Sequence, residues 1–251
     1  MILHHENRPP RRSTDFRFRS TEIMRIEGLS DAVFAFAVTL LIVSLEVPRT
    51  YGELVAATHG FFAFAICFAL LINVWYDQHV FFRRYGLQDA YTIFLNVTLL
   101  FTVLFYVYPL KFIFTLLVNQ FMGIQSVVHR PDGRIEPVIE MQQAPDIMMI
   151  FGAGFVAVSV MFVLMYRHAW RQRERLELND LERLDTRESI GAALINIAVG
   201  TVSILIAWIG GPPWTGVAGM VYFSLGICLT FYHTAMGRRR HKLEARYSAA
   251  A

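Results

Sequence analysis

The chain has 251 residues, of which 55% are hydrophobic, 21 are Phe and only 17% are charged, with a mean hydropathy of +0.43. Soluble domains carry about 25% charged residues, so the composition excludes an ordinary water-soluble enzyme and points to an all-α, polytopic membrane protein. A net charge of +3 and a pI near 9.0 imply no nucleic-acid partner, because the basic residues flank apolar runs instead of forming one interleaved surface.

In chain order, an N-terminal arm (1–24) lacks any apolar stretch that would mark a cleaved leader and is expected to be disordered. A helix needs about 20 apolar residues to cross about 30 Å of hydrocarbon. Six segments qualify: 29–47, 54–76, 91–110, 147–167, 190–210 and 214–236. Pro48 closes the first, and Asp77 with Arg83-Arg84 follows the second. A polar linker (119–145) separates the third and fourth, where Pro131-Asp-Gly133 supplies a turn that would pair Val127-Val128 with Ile135 in a small hairpin. From Arg167 to Ser189 charges alternate densely, which predicts that the fourth helix runs on into the cytoplasm. Gly210-Gly-Pro-Pro213 folds the last two spans into an antiparallel hairpin. The spans and their loops make one transmembrane domain (25–236), followed by a basic tail (237–251).

Lys and Arg counts set the orientation, since basic loops stay cytoplasmic. Residues 1–28 hold six, 77–90 two, 167–188 six and 237–251 five, whereas the other loops hold only Arg49, Arg130 and Arg134. Both termini are therefore expected inside. Lys111 falls at the outer end of the third span, where its stem can snorkel. Cys67 and Cys228 lie in apolar runs and read as small buried hydrophobes.

Chemistry concentrates in the first span. Phe36, Thr39, Leu40 and Val43 share one stripe, and Asp31 lies about 140° around the helix from Phe36. A stripe of this kind serves equally as a lipid face, a core face or a pore wall. A carboxylate inside a membrane helix costs roughly 2.5–3.5 kcal/mol, so Ser30-Asp31 is expected to bond a neighbouring helix. Trp75 and His79, one turn apart near the cytoplasmic end of the second span, arrive at the same depth, as does Asn96 in the third. Arg25 stands just before, within reach of Asp31 or of a carboxylate on another helix.

Arg25-x-x-x-Leu-Ser-Asp31, then Ala-Val-Phe-Ala and Thr-Leu-Leu, closely resembles the Arg-x-x-x-Phe-Ser-Asp signature of the transmembrane protein 175 family, the endolysosomal potassium channels and their bacterial relatives. Trp75, His79 and the six-span layout extend the resemblance over most of the chain. It implies a homotetrameric potassium channel of the cell membrane, permeable also to other monovalent cations or protons, with a pore lined by the first helix of each subunit. The motif and interhelical network would be Arg25, Ser30, Asp31, Trp75, His79 and Asn96; the pore stripe would be Phe36, Thr39, Leu40 and Val43, with Phe36 at the constriction. Leu29 replaces the usual Phe of the signature, and Phe36 is bulkier than the Ile or Leu expected there. No Thr-Val-Gly-Tyr-Gly loop occurs, so selectivity would rest on side chains.

No nucleophile elbow, zinc signature or phosphate loop occurs, and neither catalysis, a metal nor a cofactor is expected. A proton-coupled secondary transporter or an accessory protein engaging anionic lipid through its arginines remains as an alternative.

Overall fold

The computed structural model describes residues 16–20, 24–43, 50–124, 127–129 and 135–250. Its long helices are α1 (Arg25–Val43), α2 (Tyr51–Tyr85), α3 (Ala90–Phe121), α4 (Ala144–Arg171), α5 (Asp180–Gly210) and α7 (Ser224–Ala250); a six-residue α6 (Thr215–Met220) precedes α7. Strands β1 (Val127–His129) and β2 (Ile135–Pro137) pair antiparallel as the expected hairpin, with His129 rather than Val127 or Val128 opposite Ile135. The turn at 131–133 lies outside the described residues, as do Pro48 and Arg49.

Among the described residues five helices are long and apolar enough to cross a membrane; α1 is shorter and carries Arg25, Glu27 and Asp31. The chain is thus an all-α, multi-pass membrane protein. Its helices outrun the apolar segments: α2 continues nine residues past 76, and α3 runs through Pro109 to Phe121. Local signals set their ends. Asp89 caps α3 by accepting from the amides of Tyr91 and Thr92 at 3.1 Å. Gly86 and Gly211 close α2 and α5 at φ of 59° and 63°, a left-handed geometry that glycine adopts without strain.

Three expectations are corrected. The charged run 167–189 is not one helix: α4 stops at Arg171, and α5 starts at Asp180 behind a capping box in which Asn179 and Glu182 bond each other's backbone amides. The end of the N-terminal arm is ordered by contacts. Phe16 packs edge-on against Tyr85 beneath the Arg84 guanidinium, and Arg17 and Arg19 grip Glu182. Finally, Cys67 is buried but Cys228 faces outward on α7.

The core runs between α2, α3, α4 and α5. Phe81, Phe82, Tyr85 and Tyr166 form an aromatic cluster at the α2–α4 crossing. Small residues bring the next layers close: a Cβ on Gly152 would run into Ile204, and one on Gly154 into the Tyr106 ring.

Candidate functional site

Helix α1 has two unlike sides. One side, with Ser30, Phe34, Ala37 and Leu41 buried, packs on α2 and α3. There Ser30 Oγ donates to the Ile26 carbonyl at 2.8 Å and accepts from Asn96 Nδ2 at 2.9 Å, while Asn96 Oδ1 accepts from Gln78 Nε2 at 3.0 Å. All three side chains are fully buried, so these bonds replace water that the site excludes. They lock one residue from each of the first three helices.

At the edge of this side, Trp75 Nε1 donates to Asp31 Oδ1 at 2.7 Å. His79 stacks on the Trp75 ring with centroids 5.6 Å apart and planes at 19°. Thus Asp31, Trp75 and His79 assemble as their positions suggest, but His79 acts through the indole and does not touch the carboxylate. Arg25 is exposed and has no side-chain partner among the described residues. Six residues of helix place it about 120° around from Asp31, which keeps the two apart within one chain.

The remaining arc of α1 is open. Arg25, Gly28, Leu29, Ala32, Ala35, Phe36, Thr39 and Ile42 are all exposed, Phe36 at 56%. The Thr39 hydroxyl donates to the Ala35 carbonyl at 2.9 Å, leaving its lone pairs turned outward. Leu40 sits on the flank, half-buried against the core. Val43 ends α1, and its side chain lies outside the described residues.

Sequence reasoning missed three contributors. Gln78 completes the buried chain of bonds, and only its place one turn past Val74 on the buried face of α2 could have marked it. Glu27 is buried, and its Oε2 accepts the Met24 amide at 2.9 Å, bracing the start of α1. Lys111 does not merely snorkel: its Nζ donates at 2.8 Å to the Leu41 carbonyl and so caps the C-terminal end of α1. A polar cavity of about 490 Å³ lies elsewhere, between α2, α4, α5 and α7, with Asp77, Arg84 and Asn196 in its wall.

Comparison with known proteins places this arrangement. Residues 25–106, which hold α1, Trp75, His79 and Asn96, match the family described as the endosomal/lysosomal potassium channel TMEM175. A potassium channel from Marivirga tractuosa is 40% identical over 214 residues, covering 83% of this chain and 85% of the relative. The chain belongs to the TMEM175 family. A potassium channel from Chamaesiphon minutus is 24% identical over 219 residues, covering 82% of this chain and 95% of the relative. The crystal structure of a threonine-to-alanine variant of the potassium channel MtTMEM175, bound to a nanobody–MBP fusion, superposes with a TM-score of 0.75 at 36% identity, covering 89% of this chain and 97% of that one. The TMEM175 match coincides with the helices that the buried Ser30–Asn96–Gln78 bonds tie together.

Proposed function

We propose that the chain is a potassium-permeable channel that assembles as a homotetramer in the plasma membrane, with both termini cytoplasmic and the open arc of α1 from each copy around a central pore. One observation carries this reading: α1 is fixed on one side by buried polar bonds and left bare along the other, an arc that runs from Arg25 through Phe36 to Thr39. A bare arc bearing a guanidinium and a hydroxyl suits an aqueous path or a second copy of the chain better than lipid tails. The names of the relatives support potassium as the permeant ion, and membership of a channel family supports passive flux rather than catalysis.

In this arrangement Phe36 forms the apolar narrowing, a ring of aromatic side chains that excludes water and gates by dewetting. Thr39, one turn further out, presents oxygens that partly replace the hydration shell. Leu40 and Val43 complete the stripe. Potassium is favoured over sodium because its shell is the easier to strip, and other monovalent cations and protons leak where the side-chain oxygens discriminate poorly.

The test is potential-driven potassium flux into liposomes holding the purified chain, without any coupling gradient. Phe36→Ala is expected to raise the flux several-fold or to lower the preference for potassium over sodium. Unchanged flux and preference would remove Phe36 from the pore, and no flux in either protein would overturn the channel reading.

A further inference from the structure

A second site lies at the cytoplasmic ends of α4, α5 and α7, remote from α1. A cavity of about 430 Å³ opens there between Trp170 and the first two turns of α5, with Leu184 and Leu243 as apolar walls. Its polar lining is mostly cationic. The Arg187 guanidinium lies over the Trp170 ring at 4.6 Å from its centroid, and that of Arg173 at 5.4 Å, so one indole positions two cations. Arg183 adds a third, and its Nε is buried with no hydrogen-bond partner among the described residues.

The carboxylates nearby do not neutralise this cluster. On α5, Glu182 is held by Arg17 and Arg19, Asp185 faces Arg240 at 3.7 Å, and Glu188 bonds His233 at 2.6 Å. That leaves Asp180 in the cavity wall, 3.9 Å from Arg183 Nη1, and Glu174, which touches Arg173 at 3.4 Å out in solvent. Three guanidinium groups against one lining carboxylate leave a positive surplus, which suits an oxyanion. Planar guanidinium forks match phosphate oxygens in pairs.

Depth selects the phosphate. Trp170 lies three residues beyond the apolar segment 147–167 and Arg187 three residues before 190–210, about 5 Å outside the hydrocarbon at the helical rise. This is the headgroup layer, where Trp side chains concentrate. Arg238, Arg239 and Lys242 emerge from the same end of α7 and add to the positive field.

We infer that this cavity binds the phosphate of an anionic phospholipid, with Arg183 and Arg187 as its ligands and Trp170 holding Arg187 in place. The inference needs the chain to sit in a bilayer but is independent of where its pore runs. It is tested on the full chain purified in neutral detergent, by following thermal melting during titration with short-chain phosphatidylglycerol, short-chain phosphatidylcholine or inorganic phosphate. Phosphatidylglycerol is expected to raise the melting midpoint, and phosphatidylcholine is not. Each basic residue near an anionic surface contributes about fivefold in affinity, so Arg183→Gln with Arg187→Gln is expected to raise the half-saturating lipid concentration about thirtyfold. Removing the same charge outside the cavity, by Arg238→Gln with Arg239→Gln, is expected to change it by a clearly smaller factor, because neither side chain lines the cavity. Arg187→Lys keeps the charge but loses the fork, and an intermediate loss in that variant carries the test if the double variant cannot be purified. Equal losses in the cavity and control variants would reduce the effect to diffuse attraction and overturn the site. Saturation by inorganic phosphate at the same concentration as the lipid would overturn the assignment to a membrane headgroup.

Discussion

At the residue scale, Ser30, Asn96 and Gln78 show why a membrane helix bundle tolerates polar groups in its core. Each donor meets an acceptor between 2.8 and 3.0 Å, and the series ends on a helix carbonyl that always has a spare lone pair. Removing the middle member is therefore costly on both sides. Asn96→Ala strands the Gln78 amide and one lone pair of Ser30 in a site closed to water, and a buried unsatisfied group costs about 1–3 kcal/mol. Asn96→Ala is expected to lower the stability of the detergent-purified protein by that amount, read from its melting midpoint, whereas Asp31→Asn, whose partner Trp75 still finds a carbonyl oxygen, is expected to lose less. The opposite ranking would mean that the exposed pair, not the buried series, anchors α1. Asp31 and Trp75 were legible in the sequence because a carboxylate at the mouth of an apolar helix demands a donor. Gln78 was not, since nothing in its neighbours distinguishes a buried amide from one facing the headgroups.

At the element scale, helix ends depart most from what hydropathy alone implies. Apolar runs report where hydrocarbon lies, but a helix continues as long as its backbone bonds are met, so α2 and α3 extend well past their apolar cores. The ends that matter are tied across elements. Lys111 on α3 holds the Leu41 carbonyl of α1, and Lys111→Met is expected to speed amide hydrogen exchange in the last turn of α1 while leaving its first turn unchanged. At the other membrane face, Asp89 caps α3, and both its oxygens lie 3.0 Å from His168 Nε2 on α4. Burial alone pushes the Asp89 carboxyl up, but hydrogen bonds from His168 and Thr92 overcome this and hold it at about 2, below the usual carboxylate range. A depressed acid stabilises the fold above its unfolded pKa of about 3.9 and loses that contribution as pH falls toward its folded value. Stability is accordingly expected to fall between pH 4 and about 2 more steeply in the wild-type chain than in Asp89→Asn, measured by melting at matched pH; parallel curves would show that the cap carries no net charge effect.

At the scale of the whole molecule, two layers are stacked: an apolar layer written in hydropathy, and a polar layer at one end of the bundle written in charge pairs. The first is readable from composition, which is why the long apolar helices emerge from the sequence. The second is not, because an arginine in an arm and a glutamate more than 160 residues later give no local sign that they meet. Glu182 is the centre of that layer. Its side chain is 1% exposed, accepts from Arg17 and Arg19, and also bonds the Asn179 amide at the start of α5. The arm just before α1 is thereby fastened to the α4–α5 turn, which connects the proposed pore helix to the polar end of the bundle. Glu182→Gln leaves an amide that can accept from one arginine but not balance two, and breaking a buried pair costs about 3–5 kcal/mol. Because Arg17 is half in solvent, the expected loss is at the lower end of that range. The variant should melt earlier and expose this part of the arm, so that trypsin cleaves after Arg17 and Arg19 at concentrations that spare those two bonds in the wild-type chain. An arm that stays protected in a destabilised variant would mean that Phe16 against Tyr85, rather than the ion pairs, holds it down.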